Sequence, residues 1–94
     1  MVGRTVIKER EVAQDIEAAK ASYSMVDEAM SGIEWTLAHD TQAGTHHSGP
    51  YWVYAQNGFR DHRIPEIVVM YSFTDNEVIL HACVFRTGKV TLSK

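Results

Sequence analysis

The part of the sequence that decides the fold reads EIVVMYSF at residues 66–73, followed by TDN at 74–76 and EVILHACVF at 77–85. Both longer segments are rich in β-branched and aromatic residues, which favour strands, and the short polar segment between them is typical of a turn. The sequence therefore predicts a β-hairpin. Because residues 66–73 are almost all apolar, we expect this strand to lie in the middle of a sheet and to be buried on both faces.

Weaker strand signals lie on either side of this hairpin. Aromatic and β-branched residues predict a strand at 51–56, a short first strand at 4–8, and a short terminal strand at 90–92. Residues 40–50 are small and polar and contain two glycines and a proline, which predicts a loop.

Between the first strand and this loop, the periodicity predicts two amphipathic helices. The first helix has apolar residues at spacings of four, three and four: Val12, Ile16, Ala19 and Tyr23. The second repeats these spacings with Val26, Met30, Ile33 and Leu37. Ser24 is expected to be the N-cap of the second helix, and Gly32 is expected to mark close packing against another element.

Together these elements predict an α+β fold with the order β-α-α-β-β-β. A short N-terminal strand is followed by a helical hairpin and then by an antiparallel β-meander, with the helices on one face of the sheet. The 94 residues, of which 45% are hydrophobic, suit one domain spanning residues 1–94.

The composition argues against several classes of protein. A net charge of −3 disfavours non-specific binding to phosphate backbones, which needs a basic surface. Cys83 is the single cysteine, so no internal disulfide points to an oxidising compartment. No apolar run reaches the ~20 residues that span a bilayer, and the N-terminus does not resemble a signal peptide. We therefore expect a cytoplasmic protein without a membrane partner.

Two stretches of the sequence, together with the order of elements, resemble the RelE/ParE superfamily of toxins from bacterial toxin–antitoxin pairs. Residues 33–40, followed by Gly44, are similar to the end of that family's second helix and its glycine loop. Residues 67–80 are similar to its central hairpin, in which an apolar strand that ends in an aromatic residue meets a short acidic turn.

The resemblance implies one of two activities. RelE-like members cleave messenger RNA, usually in the ribosomal A site and without a metal, with Lys and Arg stabilising phosphate charge and a Tyr or similar group transferring protons. ParE-like members share the fold, lack those groups and act on DNA gyrase. Members of both kinds are neutralised by an antitoxin that lies across the toxin. The expected partner is thus a cognate antitoxin, no cofactor is implied, and a homodimer is left open.

The candidate site residues follow from this resemblance and from the chemistry of RNA cleavage, which needs a base, an acid and a cation. The catalytic candidates are Arg63, His62, Arg86 and Tyr71. The phosphate- or partner-binding candidates are Arg60, Lys89, Tyr51 and Tyr54. When Tyr71 is placed on the family's aromatic residue, Val68 stands where nuclease members tend to carry a basic residue. We therefore expect weak or no ribonuclease activity. The alternative is a non-catalytic binding or dimerising module that shares only the fold.

The remaining polar residues favour structural interpretations. His46 and His47 are adjacent, and neighbouring side chains of an extended chain point in opposite directions, so no metal site is expected. His81 could be the base or acid of an RNA-cleaving site in place of His62, but the favoured expectation is a hydrogen-bonded histidine on the less buried face of its strand. Cys83 is expected to be an inert, buried thiol.

Overall fold

The computed structural model describes residues 3–59 and 62–87. Within these residues the chain forms two helices and five strands, and the fold is α+β as predicted. The elements in chain order are β1 (Thr5–Lys8), α1 (Arg10–Ala19), α2 (Val26–His39), β2 (Thr45–Ser48), β3 (Tyr51–Gln56), β4 (Glu66–Phe73) and β5 (Glu77–Arg86). The predicted strand at 90–92 lies outside the described residues.

The five strands form one mixed sheet in the order β1-β5-β4-β3-β2. Strand β1 pairs in parallel with β5, and the other neighbours are antiparallel. The prediction that β4 is central is therefore confirmed. The β4–β5 ladder contains a bulge, because Met70 pairs with Ala82 whereas Tyr71 pairs with Leu80, which leaves His81 as an extra residue.

Both helices cover one face of this sheet. Ile67, Val69 and Tyr71 of β4 are fully buried and belong to one hydrophobic cluster with the apolar residues of both helices. The predicted helical stripes are confirmed for Val12, Ile16 and Ala19 and for Val26, Met30, Ile33 and Leu37, all of which are buried. Tyr23 lies beyond the end of α1 and is half-buried.

Among the residues that the structure describes, no helix covers the opposite face of β4. Val68, Met70 and Ser72 alternate with the buried residues and are only half-buried. The expectation that this strand is buried on both faces was therefore wrong. An apolar run predicts burial, but it does not show whether a second layer exists to provide it.

Three local predictions are corrected as well. Residues 45–48 form β2 rather than loop, because an edge strand needs only backbone hydrogen bonds to one neighbour and tolerates exposed polar side chains. The N-cap of α2 is Met25, which has a left-handed φ of 59°, whereas the hydroxyl of Ser24 donates to the carbonyl of His62. Gly32 is exposed, and a Cβ there would have no neighbour within 4 Å, so it does not mark close packing.

Candidate functional site

Of the predicted basic residues, Arg63 and Arg86 are described, and both lie near one end of the β4–β5 ladder and already have partners. The guanidinium of Arg63 donates to the carbonyl of Ser22 at 2.8 Å, and the Arg63 carbonyl accepts from the amide of Ser24 at 2.8 Å. Arg63 also has a left-handed φ of 58°. The loop at His62 and Arg63 thus fastens the α1–α2 connection to the start of β4.

Arg86 lies at the end of β5, where its guanidinium forms an ion pair with Glu66 at 3.4 Å. The two residues are register partners on the side of the sheet that faces away from the helices. The Arg86 side chain is largely exposed and that of Glu66 is half-buried, so solvent screens the pair and it contributes about 1 kcal/mol or less to stability. The carboxylate nevertheless offsets the positive charge that a phosphate would need. Arg60 and Lys89 lie outside the described residues.

Tyr71 lies on the opposite side of the sheet from Arg86. Its hydroxyl donates to the carbonyl of Thr41 at 2.6 Å and accepts from the amide of Gly44 at 3.2 Å. Burial raises the pKa of Tyr71, and the Gly44 hydrogen bond opposes this shift. A Cβ on Gly44 would approach the Val53 carbonyl oxygen to 2.3 Å, so glycine is needed where the loop crosses β3. The structure thus gives Tyr71 a role in holding this loop.

The two tyrosines predicted to bind phosphate or a partner lie on different faces. Tyr54 is half-buried and packs against the core on the helix side, whereas Tyr51 is 38% exposed on the uncovered side. This split confirms the expected alternation of side chains along the strand. The ring of Tyr51 meets the ring of His81 edge-on, with centroids 5.3 Å apart.

The structure also brings together a group of three side chains that the sequence did not reveal. His81 Nε2 lies 2.7 Å from the hydroxyl oxygen of Ser72, and His81 Nδ1 lies 3.0 Å from Oε2 of Glu9. The expectation that His81 is a hydrogen-bonded histidine on the less buried face is confirmed. Its partners were missed because Glu9 is 72 positions away in the chain.

Three elements position this group. Parallel pairing of Lys8 with Leu80 brings the end of β1 to the middle of β5, and the amide of Glu9 donates to the carbonyl of Leu80 at 3.2 Å. Ala82 pairs with Met70 on the uncovered side, so regular alternation of side chains along β5 would turn residue 81 toward the helices. The bulge keeps His81 on the uncovered side, where Ser72 also lies.

Comparisons with known proteins do not assign a family or a function to this chain. A scan against protein-family models gives no match, and searches of curated proteins and of solved structures give none either.

The uncovered side of the sheet, which we call the open face, is largely apolar. Its large apolar residues include Ile7, Tyr51, Val53, Val68, Met70, Ile79 and Val84. Val84 is 51% exposed and Ile7 is 39% exposed. Water contact with such a continuous apolar surface is unfavourable, and surfaces of this kind commonly mark protein-binding sites.

The other reactive groups are not part of a site. Cys83 is buried on the helix side as expected, and burial raises the pKa of its thiol to about 12, which favours the protonated form. Across residues 3–59 and 62–87, no group of three or more His, Cys, Asp or Glu side chains could hold a metal ion. In the same part of the chain, neither helix is long and apolar enough to cross a membrane.

Proposed function

We propose that this chain is the toxin component, or a degenerate relative, of a bacterial toxin–antitoxin pair, and that it acts by binding a protein target such as DNA gyrase. An antitoxin protein neutralises it by covering the same surface. The α+β order, in which a short first strand and two helices precede an antiparallel run of four strands, supports this proposal together with the apolar central strand. The protein works in the cytoplasm, where both its target and its antitoxin would be found.

The observation that carries the proposal is the open face. Val68 and Met70 of β4 and Val84 of β5 lie side by side on a surface that no element within residues 3–59 and 62–87 covers. At about 25 cal/mol per Å² of apolar area removed from water, covering such a surface is a substantial source of affinity. A protein partner can cover it, whereas a nucleic acid would meet apolar side chains and a chain with a net charge of −3.

The partners of the basic residues favour binding over RNA cleavage. Arg63 donates to a backbone carbonyl, and Arg86 pairs with a carboxylate. Tyr71 lies on the helix side of the sheet, away from Arg86. A metal-independent nuclease would need a cation and a proton donor on one side of the scissile phosphate.

Inducible expression in bacteria tests this proposal. The wild-type chain should arrest growth without cleaving transcripts. Met70→Glu should abolish the arrest, because it places a charge in the centre of the open face. Gln14→Glu adds the same charge to the exposed side of α1 and should leave the arrest intact. Arg63→Ala and Arg86→Ala should also retain it, provided that circular dichroism shows both variants to be folded.

The other outcomes decide between the remaining functions. Transcript cleavage that disappears in Arg63→Ala or Arg86→Ala would overturn the proposal in favour of a ribonuclease. If the chain causes no arrest and no small reading frame for an antitoxin lies beside its gene, the alternative of a non-catalytic binding or dimerising module is favoured.

A further inference from the structure

We propose that Ser72 is a nucleophile, activated by His81 and Glu9, that attacks carboxylic esters with an apolar acyl group. This inference does not depend on the toxin proposal. It rests on a continuous chain of hydrogen bonds from a hydroxyl to an imidazole to a carboxylate, with distances of 2.7 and 3.0 Å. The same order of groups activates serine in hydrolases of unrelated folds, so it is recognised by geometry and not by sequence position.

The direction of these hydrogen bonds follows from the chemistry of the three groups. An ionised Glu9 can only accept, so Nδ1 of a neutral His81 must carry the proton that faces it. Nε2 then has a free lone pair and accepts from the hydroxyl of Ser72. This tautomer is the one in which the imidazole can remove the Ser72 proton.

The position of the group suits a reaction with an outside molecule. Ser72 lies on the open face and is half-buried, and the His81 side chain is 23% exposed, so the imidazole is mostly shielded while Ser72 stays partly accessible. The bulge that brings His81 to this side disrupts the β4–β5 ladder. Bulges of this type often redirect side chains next to active sites.

The neighbours of Ser72 indicate the substrate class. Its register partner on β5 is Ile79, Met70 lies two residues before it on the same face, and Tyr51 packs edge-on against His81. An uncharged ester with an apolar acyl chain can lie along these side chains. A charged substrate would lose hydration against these apolar side chains.

The reaction balances with water as the only co-reactant. The Ser72 oxygen bonds to the ester carbonyl carbon while its proton passes to His81 Nε2. Glu9 stabilises the positive charge of the His81 imidazolium that this step forms. The C–O bond to the leaving alcohol then breaks, and the alcohol takes the proton from the imidazolium. Water attacks the resulting acyl–Ser72 ester and gives a proton to His81. The acid is released, and the proton returns to the Ser72 oxygen.

Covalent labelling tests this site directly. A fluorophosphonate forms a P–O bond to an activated serine with loss of fluoride, and intact-mass measurement followed by peptide mapping locates the adduct. The wild-type chain should carry one adduct on Ser72, and Ser72→Ala should carry none there. His81→Gln should slow labelling by about 100-fold or more, the usual contribution of a general base. Ser31→Ala, a change on the exposed side of α2, should label like the wild type.

A second measurement separates catalysis from a structural role. p-Nitrophenyl butyrate should give a burst of nitrophenol equal to one acyl group per chain, and Glu9→Gln should shift the pH profile of the burst rate. Circular dichroism should show that all variants are folded. The proposal is overturned if folded wild-type protein forms no Ser72 adduct, if His81→Gln labels at the wild-type rate, or if Ser72→Ala retains the burst.

Discussion

Replacing Tyr71 with phenylalanine removes one oxygen atom that holds the 41–44 loop to the sheet. The hydroxyl donates to the carbonyl of Thr41 and accepts from the amide of Gly44, and both Tyr71 and Thr41 are buried. A hydrogen bond contributes about 0.5–1.5 kcal/mol, and a buried group left without its partner costs about 1–3 kcal/mol. We therefore expect Tyr71→Phe to lower the free energy of unfolding by about 2–3 kcal/mol, a large part of the 5–15 kcal/mol typical of domains.

Urea unfolding measures this loss as a shift of the midpoint at constant slope. Tyr51→Phe is the matched control, because it makes the same change on the open face, where water can replace the hydroxyl's partners. It should change stability by no more than about 0.5 kcal/mol. A cost for Tyr71→Phe that equals that of Tyr51→Phe would refute the hydrogen-bonding role given to Tyr71.

Two further predictions concern Gly44 and Cys83. Gly44→Ala should destabilise the protein by about 2 kcal/mol or more in the same urea assay, because its Cβ would meet the Val53 carbonyl at 2.3 Å. Gly32→Ala is the control and should be neutral or stabilising, because a Cβ there has no neighbour within 4 Å. Because burial raises the pKa of Cys83 from 9.0 to about 12, the unfolded chain loses this proton first, and stability should fall by up to about 1.4 kcal/mol per pH unit between pH 9 and pH 12. Cys83→Ala should reduce this dependence of stability on pH, and an unchanged slope would contradict the raised pKa assigned to Cys83.

The parts of the fold that periodicity encodes could be predicted from the sequence. The buried residues of α1 and α2 follow the spacing of apolar residues, and the apolar run at 66–73 identified the central strand. These signals are local, since each depends on residues within one element. Strand β2 gave no such signal, because it is held by backbone hydrogen bonds and exposes all four of its polar residues.

The site depends on contacts between distant segments, which no local pattern records. Glu9 reaches His81 only because β1 pairs in parallel with β5, and His81 reaches Ser72 only because of the bulge. Composition likewise could not show that Arg63 would be used to fasten the α1–α2 connection. The chemistry of His81 and Arg63 could be anticipated from their residue types. Their hydrogen-bond partners could not, because those partners depend on tertiary pairing.

The central claim is that β4 has one face packed under the helices and one face open, and Val68 and Val69 test it most directly. The two residues are adjacent, and threonine replaces valine with nearly the same shape. Val69 is fully buried, so Val69→Thr should cost about 1–3 kcal/mol for burying a hydroxyl, whereas Val68→Thr should cost less than about 0.5 kcal/mol. Urea unfolding of both variants should show this difference. Equal losses, or a larger loss at Val68, would contradict the assignment of the two faces.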